Sequence, residues 1–279
     1  VSIPNNLFFI VFDSCRYDSF TGASTPNISK LGPTEKRYSF ASWTYPSHAV
    51  YLMGACPHKS PRGVFASEVY REDFAKWSDR LNIPDISFKK FVPRLSLAAF
   101  LRTHGYLTRA MVSLPVLNQT TVLNQHFDSW ELMPSHNDFR AMIEKVTFER
   151  DRPTFYFMNV GETHYPYTLP GESGDSLPRI HGVHGVFKHL DDHLGQEEAA
   201  ENMDFFNMDQ LAILKEKQRS NVEYLDGLIG ELVNRVPPNT YFIVTADHGE
   251  CFGEDGYFGH GPIMHENVFE VFFVEGRIT

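Results

Sequence analysis

Residues 242–250 read Phe-Ile-Val-Thr-Ala-Asp-His-Gly-Glu, a strand that stops abruptly on charge. The run from Phe242 to Ala246 is apolar or β-branched, as the interior of a parallel sheet requires, and Asp and Gly are ordinary strand terminators. Asp247 and His248 then have two readings. They form a polar turn after a buried strand, or they are two metal ligands delivered to the rim of a sheet. These nine residues do not separate the two.

Similar runs recur along the chain. Leu7–Phe12, Tyr106–Val112, Thr154–Val160 and Val268–Val274 read as buried strands. Leu95–His104 is an amphipathic helix stopped by Gly105, and Met208–Val236 is a long helix or a broken pair ending before Pro237-Pro238. Alternation of strand and helix predicts an α/β fold, a mostly parallel central sheet sandwiched by helices. Pro57–Lys90 and Pro166–Met203, rich in Gly, Pro, His and charge, read as loops over one edge of the sheet.

Composition sets outer limits. A chain of 279 residues with 42% hydrophobic and 22% charged residues suits one large globular domain. Its net charge of −10, without a block of Lys or Arg, argues against nucleic acid as a partner. Cys15, Cys56 and Cys251 follow no zinc-like spacing and read as reduced thiols, so a cytoplasmic setting is expected. Leu7–Phe12 is too short to span a bilayer and lacks the flanks of a signal peptide, so no membrane span is expected. Oligomeric state has no signature here.

Asp13 follows the first strand, His164 comes four residues after the strand ending at Val160, and Asp247 and His248 follow the strand ending at Ala246. In a parallel open sheet the carboxyl ends of strands share one rim, where ligands bind. Thr44 precedes Pro46 at the start of a predicted helix that Gly54 ends. Its hydroxyl is either an N-cap or a nucleophile; the latter needs a base, a metal or a positive field. The helix N-terminus supplies part of such a field. Asp13, Asp247, His248 and the Thr44 hydroxyl together form a hard oxygen and nitrogen set suited to zinc or manganese.

The segments FIVFDSCRYDSFTGASTPNISKL, TYPSHAVYLMG, LAAFLRTHGYLTRA, THYPY and FIVTADHGECFGEDGYFGHG, in that order, resemble the alkaline phosphatase/sulfatase superfamily across nearly the whole chain. The resemblance implies an alkaline-phosphatase-like catalytic domain over residues 1–279, with a C-terminal subdomain that often completes the pocket either missing or outside this stretch. Thr44-Tyr45-Pro46-Ser47-His48 departs from the C/S-x-P-x-R pattern of sulfatases, since threonine cannot become formylglycine and His48 replaces the arginine. At its nucleophile the chain is similar instead to phosphodiesterases and to phosphoethanolamine and phosphoglycerol transferases. One tight divalent ion, zinc or manganese, is implied, with room for a second, weaker one.

The resemblance also implies roles for further residues. His260, in the Gly-rich turn after Asp247-His248, and His164 across the pocket become candidates for binding phosphate or protonating a leaving alcohol. His48, one turn past Thr44, is a candidate for the pocket wall. Arg16, in the order Asp-x-x-Arg-x-Asp, supports the metal site, touches substrate oxygens or pairs with Asp18. The expected activity is metal-dependent hydrolysis or transfer of a small anionic phosphate ester through a phosphothreonine at Thr44. Two rivals are a sulfatase-like or phosphonate-cleaving enzyme and a non-catalytic binding protein on the same fold.

Overall fold

A computed structural model of the protein describes residues 4–54, 71–86, 96–180 and 207–278. In chain order these carry β1 (Asn6–Phe12), α1 (Tyr17–Gly22), β2 (Glu35–Tyr38), α2 (Thr44–Met53), α3 (Arg71–Leu81) and α4 (Leu97–Thr103). Next come β3 (Leu107–Val112), β4 (Ser129–Leu132), α5 (Phe139–Glu144), β5 (Thr154–Val160) and α6 (Met208–Val233). The chain closes with β6 (Thr240–Ala246), β7 (Cys251–Phe252), β8 (Phe258–Gly259), α7 (Glu266–Phe269) and β9 (Glu270–Arg277).

Among the described residues seven strands make one sheet in the order β2-β9-β6-β1-β5-β3-β4. β1 is central and pairs in parallel with β5 and β6, and β3 pairs in parallel with both β5 and β4. Side chains alternate across β1. Phe8, Ile10 and Phe12 pack with Phe20 of α1, Phe139 of α5 and Leu225 of α6. Leu7, Phe9 and Val11 pack with Leu52 of α2, Leu81 of α3 and Leu101 of α4 on the other face. A strand covered on both faces needs apolar residues at every position, which explains its unbroken run. Each such large side chain, fully buried, contributes about 2 kcal/mol.

Several elements differ from the sequence reading. α3 forms inside the stretch read as loop: Trp77 and Leu81, one turn apart, give it an apolar side that joins the core. Residues 57–70 and 87–90 of that stretch lie outside the described residues, as do 181–203 of the second loop. β2 and β4 carry no apolar run because they are the two edge strands, and β9 runs antiparallel to β6 and β2. Met208–Val233 is one unbroken helix, started by Asn207, whose Oδ1 accepts from the Asp209 and Gln210 N–H groups.

Register places the rim. Phe12 lies opposite Ala246 on β6 and Val160 on β5, so Asp13, Asp247 and Gly161 are the next residues on three neighbouring strands. Gly161 is required there, because a Cβ would lie 2.1 Å from the His136 carbonyl oxygen. Glu162 follows, fully buried; its Oε1 accepts from Phe139 N at 2.7 Å while Oε2 has no hydrogen-bond partner among the described residues. Burial pushes its carboxyl up to about 7.

Because the folded state holds this proton more tightly than the unfolded chain, its stabilising contribution is complete below about pH 4.5 and is lost as pH rises through about 7. A shift of this size corresponds to about 3 kcal/mol. Glu162→Gln, neutral at every pH, is therefore expected to melt above wild type at pH 8, with the gap closing towards pH 4.5. A gap that does not change with pH would contradict this assignment.

Candidate active site

The rim is stitched together by main-chain groups before any ligand is considered. Asp13 N donates to Val160 O at 2.9 Å, and Thr163 Oγ1 donates to Asp13 O at 2.7 Å. Asp247 Oδ1 accepts from Ser14 N and His248 N, both at 3.0 Å. The sharp exit from β6 depends on Gly249, since a Cβ there would lie 2.1 Å from Asn267 O. Tyr51 from α2 donates to Ala246 O at 2.7 Å and ties that helix to the end of the strand.

Thr44 is the first residue of α2, and Trp43 occupies the capping position without a side-chain capping bond. The Thr44 hydroxyl therefore does not cap the helix. It lies 3.4 Å from Asp13 Oδ1 and 3.4 Å from His248 Nε2. His248 Nε2 is in turn 3.4 Å from Asp247 Oδ2. One donor atom from each of Asp13, Asp247 and His248 falls within 4.8 Å of the others, and all three residues are buried. The structure thus gathers the four residues expected to hold a metal.

The chemistry of these atoms fits a divalent cation. His248 Nδ1 sits 2.8 Å from Gly249 O, which can only accept, so the ring proton is on Nδ1 and the Nε2 lone pair faces the cluster. Burial, followed by the charge of His260, holds His248 well below its usual range, in the neutral form a ligand needs. Asp247 Oδ2 is buried and has no hydrogen-bond partner among the described residues. Burial pushes the Asp247 carboxyl well above the carboxylate range, and the nearby charge of Asp13 pushes it further. Burial also works to raise Asp13, but the imidazoles of His164, His248 and His48 and the Asn159 amide outweigh it and lower the group. Two buried carboxylates side by side need a proton or a cation, and an orphaned oxygen beside an available lone pair suits the cation.

His164 and His260 face each other at the outer side of the cluster. Their rings are 5.4 Å apart, and His260 lies 4.3 Å from the His248 ring. His164 Nδ1 donates to Tyr165 O at 2.8 Å, and Nε2 has no hydrogen-bond partner among the described residues. His260 Nδ1 is 3.5 Å from Ser14 Oγ and 3.6 Å from Glu250 Oε2.

Two expected pocket residues are placed elsewhere. His48 is fully buried behind Thr44, with Nδ1 bonded to Thr44 O and Nε2 facing Asn159 Nδ2, so neither ring nitrogen is free for substrate. Burial pulls it down to about 4, so it is neutral near pH 7. Arg16 is also buried, with its guanidinium bonded twice to Asp18, at 2.7 and 2.8 Å, and to Glu254 at 2.6 Å. This is the ion-pair reading of Arg16 rather than the substrate reading.

Two residues around the site were not singled out from sequence. Asn159 donates to Asp13 Oδ2 at 2.8 Å, and Gln218 of α6 donates to Ser14 O, Thr163 O and Glu250 Oε1. Each interrupts an apolar pattern, on a fully buried strand and on the buried stripe of a helix. That interruption was the available signal.

Neither a protein-family model nor a curated protein matches the sequence. Solved structures match the fold. The C-terminal periplasmic domain of EptC from Escherichia coli, in complex with zinc, is 14% identical, with TM-score 0.58 over 100% of this chain and 74% of that one. The corresponding domain of the phosphoethanolamine transferase EptC from Campylobacter jejuni is 11% identical, with TM-score 0.56 over 98% of this chain and 80% of that one. A putative sulfatase from Bacteroides fragilis is 15% identical, with TM-score 0.59 over 99% of this chain and 68% of that one.

Arg16 in its two ion pairs is a structural clamp. Its partners are partly exposed, so Arg16→Met is expected to cost about 2 kcal/mol in urea unfolding, less than for a wholly buried pair. Unchanged stability together with lost affinity for anions would restore the substrate-binding reading.

Proposed function

We propose that this chain, which has the fold of the alkaline phosphatase superfamily, is a metal-dependent enzyme that transfers the phosphoryl group of a small anionic ester to Thr44 and then to water or another alcohol. The observation that carries this reading is the Thr44 hydroxyl, released from capping and 3.4 Å from both Asp13 Oδ1 and His248 Nε2. Asp13, Asp247, His248 and Thr44 would hold one divalent ion. Zinc is the preferred choice, since a structural neighbour was crystallised with it. When bound, the ion lowers the pKa of the hydroxyl and offsets negative charge on the phosphoryl oxygens.

The chain's own residues supply the rest. The first N–H groups of α2 have no partner within the helix and favour an anion beside Thr44. The Thr44 proton has an acceptor in reach at Asp13 Oδ1, a carboxylate oxygen with a second lone pair, whereas the one lone pair of His248 Nε2 would be taken by the ion. Thr44 Oγ1 bonds to phosphorus as the bond from phosphorus to the leaving oxygen breaks, and the leaving oxygen takes a proton. His164 and His260, facing one another on the outer side, bind the non-bridging oxygens or donate that proton. Attack by water or an alcohol on phosphothreonine then returns Thr44 to its free form.

Thr44→Ala is expected to lower turnover of phosphate mono- or diesters by at least ~10³-fold, while Thr44→Ser retains part of it. Intact-mass spectrometry of acid-quenched wild type is expected to show one added phosphoryl group, absent from Thr44→Ala. Full activity of Thr44→Ala on every phosphate ester, or faster turnover of sulfate esters or phosphonates by wild type, would overturn the proposal.

A further inference from the structure

Asn159 sits at the second-to-last position of β5, fully buried, where an apolar side chain would serve the sheet at lower cost. Every hydrogen-bonding capacity of its amide is engaged. Oδ1 accepts from Ser113 N and Leu114 N, both at 3.3 Å, just past the end of β3. Nδ2 lies 2.8 Å from Asp13 Oδ2 and 3.3 Å from His48 Nε2. Main-chain N–H groups can only donate, so Oδ1 must face them and the NH₂ group must face Asp13.

The same reasoning fixes His48. Its Nδ1 is 2.8 Å from Thr44 O, a pure acceptor, so Nδ1 carries the proton and Nε2 accepts from Asn159. One amide therefore reaches two parts of the site. It holds Asp13 Oδ2 directly, leaving Oδ1 as the oxygen 3.4 Å from Thr44 Oγ1. Through His48 it reaches the carbonyl of Thr44 in the first turn of α2. As a neutral donor it fixes the direction of the carboxylate without cancelling the charge that a cation would use.

We infer that Asn159 is a positioning residue, which sets which Asp13 oxygen faces the nucleophile and, through His48, holds the first turn of α2 against the metal site. The inference rests on the metal and Thr44 reading above. It would account for a polar residue in the middle of the core and for a histidine with no free nitrogen.

The test separates holding the end of β3 from positioning Asp13. Asn159→Asp keeps the size of the side chain and an acceptor for Ser113 and Leu114 but deletes the donor, whereas Asn159→Ser removes the whole amide and leaves a shorter hydroxyl. Zinc and manganese are titrated calorimetrically into metal-free wild type, both variants and Asp13→Asn, with thermal melts alongside. Both Asn159 variants are expected to bind about 10- to 100-fold more weakly than wild type. Asn159→Asp is expected to remain folded; if it does not, Asn159→Ser carries the comparison. A purely structural role would lower the melting temperature without moving affinity. If Asn159→Asp binds as tightly as wild type or tighter while Asp13→Asn binds nothing, the inference fails and the metal reading stands. If wild type takes up neither metal, the metal reading fails and the inference falls with it.

Discussion

Two carboxylates from adjacent strands, Asp13 after β1 and Asp247 after β6, are buried side by side, and the arrangement of the rim answers to that single constraint. Burying an unpaired charge costs several kcal/mol, a large share of the about 5–15 kcal/mol that holds a typical domain folded. Such a pair persists only with a proton or a cation between its members. The surrounding bonds treat the two oxygens of each acid differently. Asp247 Oδ1 is saturated by two main-chain N–H groups, while Oδ2 has no hydrogen-bond partner among the described residues. Asp13 Oδ2 is held by Asn159, while Oδ1 accepts from Ser14 Oγ at 3.2 Å and faces Thr44. Both acids thus present one oxygen to a common space that His248 Nε2 and the Thr44 hydroxyl also border.

Holding that geometry falls to elements with no direct part in the chemistry. Gln218, from the middle of α6, bridges Ser14 O after β1, Thr163 O after β5 and Glu250 after β6, so one amide pins three strand ends to one helix. Arg16 fastens the first of those ends to Glu254 in the turn that leads to His260. Tyr167 OH, at 2.6 Å, shares Glu250 Oε1 with Gln218 and fixes the acid that faces His260. Sites built on strand ends and supported in this way hold their geometry better than sites on free loops.

Much of this was legible in the sequence, and the reasons are physical. Strands buried on both faces leave continuous apolar runs, so β1, β5 and β6 and the charged residues ending them stand out. Edge strands leave no such run: Glu35–Tyr38 and Ser129–Leu132 were silent, and α3 escaped notice because few of its residues are apolar. The antiparallel course of β9 is set by a tertiary connection that composition does not encode. Asp13, Thr44, Asp247 and His248 do converge, because parallel register carries residues distant in sequence to one rim. Which histidines and arginines keep a free polar edge is decided by contacts between elements. For that reason His48 and Arg16 were legible as residues near the site, and their orientation away from a substrate was not.

Elemental analysis of purified protein after exposure to zinc and manganese, with wild type set beside an Asp247→Asn/His248→Ala variant, reads directly whether the paired carboxylates hold a cation. Wild type is expected to carry about one equivalent of zinc or manganese and the variant none. Wild type that binds neither metal when offered both would contradict that expectation, and the paired carboxylates would then be held together by a proton alone.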